Sequence, residues 1–314
     1  MKPKFGKKPS LMIIVIWRLE HLALLAVKSF LLCLPWKART ACGRMVGRAI
    51  YALDAKHRRV SIANLSSAFP EIQEEKIREL SVRSFENIGR LMVEVIFMKR
   101  REKTILSSTT IEGWENLHEA LRDGRGYILV SGHFGNWEWV AFLQSSLGFP
   151  LEMITRPLDN PYAEGFLKKI REARGNRVIY KRNAVAKMVR ALKASKGVAF
   201  VFDQNFGEEG GVFVPFFGRQ AATTPVFGRI AAKMDVPVLP VMAYPENSGY
   251  RIVYGKPIIP LNDLSSEENA MMIIRESTAR LEEAVRRTPW AWFWMHDRWR
   301  TKPPASSREE SHDG

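Results

Sequence analysis

From Tyr127 onward the chain breaks into short β-rich runs separated by helix-length segments, and this alternation restricts the fold more than any other feature. The candidate strands cover residues 127–131, 151–155, 177–180, 198–203, 236–244 and 250–254. Between them, Val185, Met188, Val189 and Leu192 recur at the spacing of one helix face. Thr224 reads as an N-cap with Pro225 at the first helical position. Ser265 and Glu268 form a capping box for a late helix that runs through Met272, Leu281 and Val285 towards Pro289. Strands alternating with helices predict an α/β class, a layered and largely parallel sheet flanked by helices. Ahead of it, Ile77, Leu80, Phe85, Ile88, Leu91, Met92 and Val95 keep helical spacing, so residues 56–100 form a helical N-terminal region. No internal repeat is visible.

The first forty residues have a different character. Four lysines in MKPKFGKKPS precede two apolar stretches, 11–17 and 22–36, broken by Arg18, Glu20 and His21, with Lys28 inside the second. On a helix Arg18, His21 and Lys28 fall within roughly 80° of one another, so they can share one polar stripe. A tilted single span and a helix lying in the membrane interface both satisfy this pattern, and either makes the segment a membrane anchor. No small-x-small cleavage site follows cleanly, which argues against a signal peptide. Lys+Arg 48 against Asp+Glu 33 leaves a net charge of +15, so the expected partners are anionic. Nine Trp and seventeen Phe on a basic chain favour a membrane surface over nucleic acid. No helix-turn-helix, RNA-recognition signature or zinc finger is present. Cys33 and Cys42, the two cysteines, both lie near the N-terminus and leave nothing for a zinc or redox motif in the body.

Of six histidines, His133 stands out. His21 lies in the anchor, His57 in a basic KHRR stretch, His118 in an ordinary helix, His296 in an aromatic C-terminal run and His312 in the tail. His133 instead follows the apolar strand YILVS and Gly132, where ligands gather in open α/β sheets. Glu138 comes five residues later. Along a regular helix the two side chains would stand about 140° apart, but a turn at Gly135–Asn136 could fold the carboxylate back onto the imidazole. That carboxylate would fix the tautomer and make His133 a general base. A helix starting just beyond it offers unpaired N–H groups and the positive end of a dipole. The motif alone is met equally well by a strand-end histidine beside an incidental surface glutamate. Two further strand ends add weight. Arg156 closes the strand at 151–155, and Asp203-Gln204 closes the one at 198–203, leading into a glycine-rich loop with an aromatic lip. No Lys-Ser/Thr follows those glycines, so a nucleotide P-loop is not supported.

These blocks together, SGHFGNWE, FDQ…GGVFVPFFG…ATTP, RVSIANL…FP and the terminal WAWFWMHDRWR, resemble the lysophospholipid acyltransferase superfamily. The resemblance is strongest to its late lipid A (lauroyl/myristoyl) acyltransferases, and the mycobacterial phosphatidylinositol mannoside acyltransferases look similar in the same motifs. It implies a membrane anchor over 1–40 and an α/β acyltransferase domain with a helical N-terminal lobe over 41–301, while the polar stretch 302–314 reads as a disordered tail. It implies acyl transfer from acyl carrier protein or acyl-CoA to a hydroxyl of a phosphorylated glycolipid, at the cytoplasmic face of an inner membrane, with no metal and no cofactor beyond the thioester co-substrate. The family's His-x4-Glu dyad falls on His133 and Glu138, its substrate-facing arginine on Arg156, and its DQ element on Asp203 and Gln204. Asn136, Arg156 and backbone N–H groups near the helix start would stabilise the oxyanion. Glu208 and Glu209 depart from the lipid A pattern and leave the acceptor head group open. A non-catalytic adaptor for anionic membranes is the competing reading; nucleic-acid binding has only the charge in its favour.

Overall fold

The computed structural model describes residues 9–181, 184–207, 210–246 and 249–304. Helices α1 (Leu11–Leu32), α2 (Trp36–Leu53), α3 (Ala55–Ala68), α4 (Glu74–Phe97) and the short α5 (Glu102–Ser107) come first. Strands and helices then alternate: β1 (Thr109–Glu112), α6 (Trp114–Leu121), β2 (Tyr127–Ser131), α7 (Trp137–Ser146), β3 (Leu151–Thr155), α8 (Pro161–Arg171), β4 (Arg177–Tyr180), α9 (Ala184–Lys193) and β5 (Gly197–Val201). A hairpin of β6 (Val212–Phe216) and β7 (Arg219–Thr223) precedes α10 (Val226–Met234), β8 (Val238–Glu246), β9 (Gly249–Tyr254) and α11 (Ser266–Arg287). The main sheet has the order β1-β9-β8-β2-β5-β3-β4. Its pairs are parallel except β8 with β9.

The central strand β2 is buried along its whole length, because helices cover both faces of the sheet. Ile128 and Val130 join a core with α3, α9, α10 and α11, while Tyr127 and Leu129 join another with α6 and α7. This two-sided burial is why the strand reads as an unbroken apolar run. Strands β2, β3 and β4 lie where the sequence predicts. Strand β5 ends two residues early, at Val201: Phe202 still donates its N–H to the Ser131 carbonyl, and Asp203 then leaves the ladder. The capping box at Ser265 and Glu268 is present on α11. On α10 the cap sits one residue later than expected, at Pro225, with Thr224 Oγ1 accepting the Val226 N–H at 3.4 Å.

Two features escaped the sequence reading. Strand β1 is four residues long and pairs only with β9 at the sheet edge. The segment expected to be a glycine-rich loop contains the β6–β7 hairpin. Phe217 and Gly218 both have positive φ, the two-residue turn that matches strand twist. Pro215 is tolerated there because this ribbon has only two strands.

The N-terminal helices pack outside the sheet. Helix α2 lies against α4, where a side chain on Gly43 or Gly89 would run into the other's carbonyl oxygen. Helix α1 turns its polar stripe towards α8: Arg18 Nε donates to the Tyr162 hydroxyl at 3.1 Å, and Asn160 Nδ2 donates to Glu20 and to the Trp17 carbonyl. His21 lies against the Tyr162 ring and Lys28 over Phe166. The opposite face exposes Leu11, Met12, Val15, Ile16, Leu19, Leu22, Val27 and Phe30. Among the described residues no helix is long and apolar enough to cross a membrane. The four leading lysines and most of the polar tail, residues 305–314, lie outside the described residues.

Candidate active site

The loops after β2 and β5 leave the sheet side by side, because the two strands are neighbours in register from Tyr127–Gly197 to Ser131–Val201. His133 from the first loop meets Asp203 from the second. The imidazole Nδ1 lies 2.7 Å from Asp203 Oδ1, and the His133 backbone N–H donates to Oδ2 at 2.8 Å. The Trp292 indole N–H donates to the same Oδ2 at 2.6 Å. Asp203 is only 3% exposed. Burial pushes its carboxyl pKa up, but the facing His133 and the N–H donors of His133 and Trp292 outweigh it and hold the group below the usual carboxylate range. An ionised carboxylate can only accept, so Nδ1 carries a proton, and in the neutral form of the ring Nε2 is the nitrogen with the lone pair. The His133 side chain is 20% exposed and sits between the rings of Trp137, at 4.7 Å, and Phe293, at 6.0 Å.

The chain between His133 and α7 is tightly set. Gly135 has φ +58, and a side chain there would collide with the Ala243 carbonyl. Asn136 is the N-cap of α7, its Oδ1 accepting the Trp139 N–H at 3.0 Å. Its Nδ2 donates to Glu94 at 2.9 Å, and the side chain is fully buried. Asn136 therefore does not face the site as the expected oxyanion donor; it is occupied in shaping the turn. Asn136 also takes the Trp139 and Val140 N–H groups, so the donors left open at the start of α7 are the backbone N–H groups of Trp137 and Glu138.

Glu138 also departs from expectation. Helix α7 begins at Trp137 rather than beyond Glu138 as expected, so Glu138 belongs to its first turn rather than to the preceding loop. Its carboxylate takes Arg171 of α8, with Nε at 3.1 and 3.0 Å and Nη2 at 2.6 Å. No hydrogen bond joins it to His133 among the described residues; the carboxylate on the imidazole is Asp203. Arg156 leaves the end of β3, two strands from β2 and so about 10 Å to the side. Its side chain is 64% exposed, with Asp159 as its nearest carboxylate at 4.0 Å. Gln204 is exposed beside Asp203, and its carbonyl accepts from Arg298 at 3.5 Å. Glu208 and Glu209 lie outside the described residues.

The C-terminal segment beyond α11 had been noticed for its aromatic content, but its part in the site was missed. It crosses the His133 loop as an antiparallel bridge, the Gly135 N–H donating to Ala291 and the Phe293 N–H to His133. Ser84 and Asn64 donate to its carbonyls at Trp292, Trp294 and His296. His296 Nε2 accepts the Asn205 N–H at 2.8 Å, and burial holds its imidazole below the ordinary histidine range although Asp203 opposes this. Arg298 is buried, which lowers its guanidinium to about 10, and it donates to the Ala222 carbonyl and Thr223 Oγ1. One strap thus grips both loops that carry the His–Asp pair. The clue in the sequence was the polar triplet His296-Asp297-Arg298 set inside a tryptophan-rich run.

The family model described as bacterial lipid A biosynthesis acyltransferase matches residues 4–301. The chain is 28% identical over 272 residues to the lipid A biosynthesis lauroyltransferase of Escherichia coli K12, covering 84% of this chain and 85% of that protein. It is 27% identical over 282 residues to the lipid A biosynthesis palmitoleoyltransferase of the same organism, covering 87% and 89%. The corresponding myristoyltransferase is 23% identical over 272 residues, covering 86% and 83%. Among solved structures, the 1-acyl-sn-glycerophosphate acyltransferase PlsC of Thermotoga maritima aligns with 79% of this chain and 97% of its own, at 16% identity and a TM-score of 0.39.

Proposed function

This chain belongs to the bacterial lipid A biosynthesis acyltransferase family, and from that premise we propose that it moves a fatty acyl chain from a thioester to a hydroxyl of a lipid A precursor, with His133 as general base. It is an acyltransferase; the donor, the residues and the membrane seating are our reading. One observation carries that reading: His133 Nδ1 is committed to Asp203, which leaves Nε2 free to take a proton.

The acceptor hydroxyl loses its proton to Nε2 as its oxygen attacks the thioester carbonyl. The oxyanion of the tetrahedral intermediate meets the Trp137 and Glu138 N–H groups and the positive dipole end of α7. Collapse breaks the carbon–sulfur bond, and the departing thiolate takes the proton back from His133. Asp203 holds the tautomer and stabilises the imidazolium, while the Glu138–Arg171 pair ties α7 to α8 behind the reacting groups. Exposed Arg156 and Gln204 stand at the open edge, where a phosphorylated head group would approach. No protein nucleophile is needed.

The substrates fit the surface. A net charge of +15 attracts an acidic carrier protein or coenzyme A as donor, and a phosphorylated glycolipid as acceptor. Helix α1 spends its polar stripe on α8 and keeps an uncovered apolar arc. We read it as lying in the interface of the inner membrane on the cytoplasmic side, which delivers the lipid substrate laterally. The test is transfer of labelled acyl chains from carrier protein and from coenzyme A to a lipid A precursor, beside His133→Ala. Product from the parent chain and a loss of about 10²–10⁴-fold in a folded variant support the reading. Undiminished activity in His133→Ala rejects the base.

A further inference from the structure

A buried carboxylate outside the reacting groups is tied to them through one side chain. Glu94 of α4 is 2% exposed and accepts three hydrogen bonds: from Arg90 Nε at 2.6 Å, from the Tyr250 hydroxyl at 2.6 Å and from Asn136 Nδ2 at 2.9 Å. Asn136 is the N-cap of α7 and stands three residues from His133. The same amide thus joins α4 at one end to the first turn of α7 at the other.

A cap alone does not need this arrangement. Serine, threonine or aspartate at the same position would accept the Trp139 N–H with no ionised side chain beneath it. Burying a carboxylate is costly unless it is fully partnered, and here Arg90 of the same helix, Tyr250 of β9 and Asn136 at the start of α7 partner it. The turn 132–137 is held on its other sides by Asp203 and by the strap, through the bonds to His133, Gly135 and Phe293. Glu94 supplies the remaining fixed point.

We infer that Glu94 is a positioning residue: through Asn136 it sets the amino end of α7 against His133, so that the base and the oxyanion donors keep one geometry. This rests on the acyl-transfer reading of the same site. Glu94 touches no substrate and exchanges no proton in the reaction.

The test uses the full chain in detergent, with Glu94→Ala, Glu94→Gln, Asn136→Ser and the double variant Glu94→Ala/Asn136→Ser. Asn136→Ser keeps a cap for the Trp139 N–H but cannot reach Glu94, and Glu94→Gln keeps an oxygen for Asn136. Backbone amide exchange across 134–140 and steady-state kinetics are read together. We expect faster exchange in that segment and a fall in kcat of up to about 10²-fold for Glu94→Ala and Asn136→Ser. KM for both substrates stays near that of the parent, Glu94→Gln recovers most of the rate, and the double variant is no worse than either single one. Unchanged exchange at 134–140, a rate loss that follows only the loss of folded protein, or additive losses in the double variant would overturn the inference. If the parent chain transfers nothing while Glu94→Ala still loosens 134–140, the acyl-transfer reading fails and the positioning role stands.

Discussion

In the proposed mechanism His133 serves because its two ring nitrogens live in different surroundings, one against a buried anion and the other facing out. That asymmetry predicts the outcome of Asp203→Asn. The variant's carbonyl would keep the Oδ2 position, where Trp292 and the His133 backbone N–H donate, and its amide N–H would face Nδ1. The imidazole would then carry its proton on Nε2, the wrong tautomer for a base. A loss of about 10²–10⁴-fold in kcat, with the thermal transition close to that of the parent, is expected. Arg171 is a different case: it and Glu138 are both largely buried. Arg171→Met strands a carboxylate behind α7 and should cost about 3–5 kcal/mol in denaturant unfolding. A cost under about 1 kcal/mol, the range of exposed pairs, would show that water already reaches it.

Among the elements, the strap 289–301 decides the most. It has little regular structure, yet it bridges the His133 loop, donates to Asp203, and receives Asn205 on His296. Its histidine makes the strap sensitive to acid, and the sign follows from burial. The folded imidazole is held below its ordinary value, so the unfolded chain binds the proton first as pH falls. Stability is therefore lost from about pH 6.5 downwards, until the folded group also titrates. Asp203 acts at lower pH: its depressed carboxyl contributes stability above its unfolded value near 4, which is lost as pH falls through the folded one. We expect the melting temperature to drop between about pH 7 and 5.5, and to drop less in His296→Gln, whose amide oxygen can still accept from Asn205. Equal slopes in the two proteins would remove His296 from this account.

For the whole molecule, the question is which way it faces. Helix α1 lays its charged stripe along α8, which follows β3 and precedes β4, and turns an apolar arc outward. Replacing two leucines of that arc, Leu19→Glu and Leu22→Glu, removes about 1.5–3 kcal/mol of apolar burial each and should cut partition onto anionic vesicles at least tenfold. Raising salt from about 0.1 M to 1 M shortens the Debye length from about 10 Å to 3 Å and should weaken the remaining, charge-driven association. Association unmoved by both changes would mean that neither the arc nor the basic surface seats the protein.

Local signals were enough for the strands at 127–131, 151–155 and 177–180, for the capping box on α11, for the polar stripe of α1 and for the choice of His133 and Asp203 as strand-end groups. Each depends on spacing within a few residues, and burial on both sheet faces writes such spacing directly into apolar runs. Which carboxylate serves His133 was not local. Glu138 is five residues away and Asp203 is seventy, yet β2 and β5 are neighbours in the sheet and α7 opens early enough to turn Glu138 towards Arg171. The hairpin β6–β7 stayed hidden because Pro215 and the surrounding glycines imitate a loop, and only strand-to-strand pairing contradicts that. His296, Trp292 and Glu94 join the site across separations of 91, 89 and 42 residues. Contacts at such separations carry no periodic signature in the chain; they exist only once the sheet has brought its loops together.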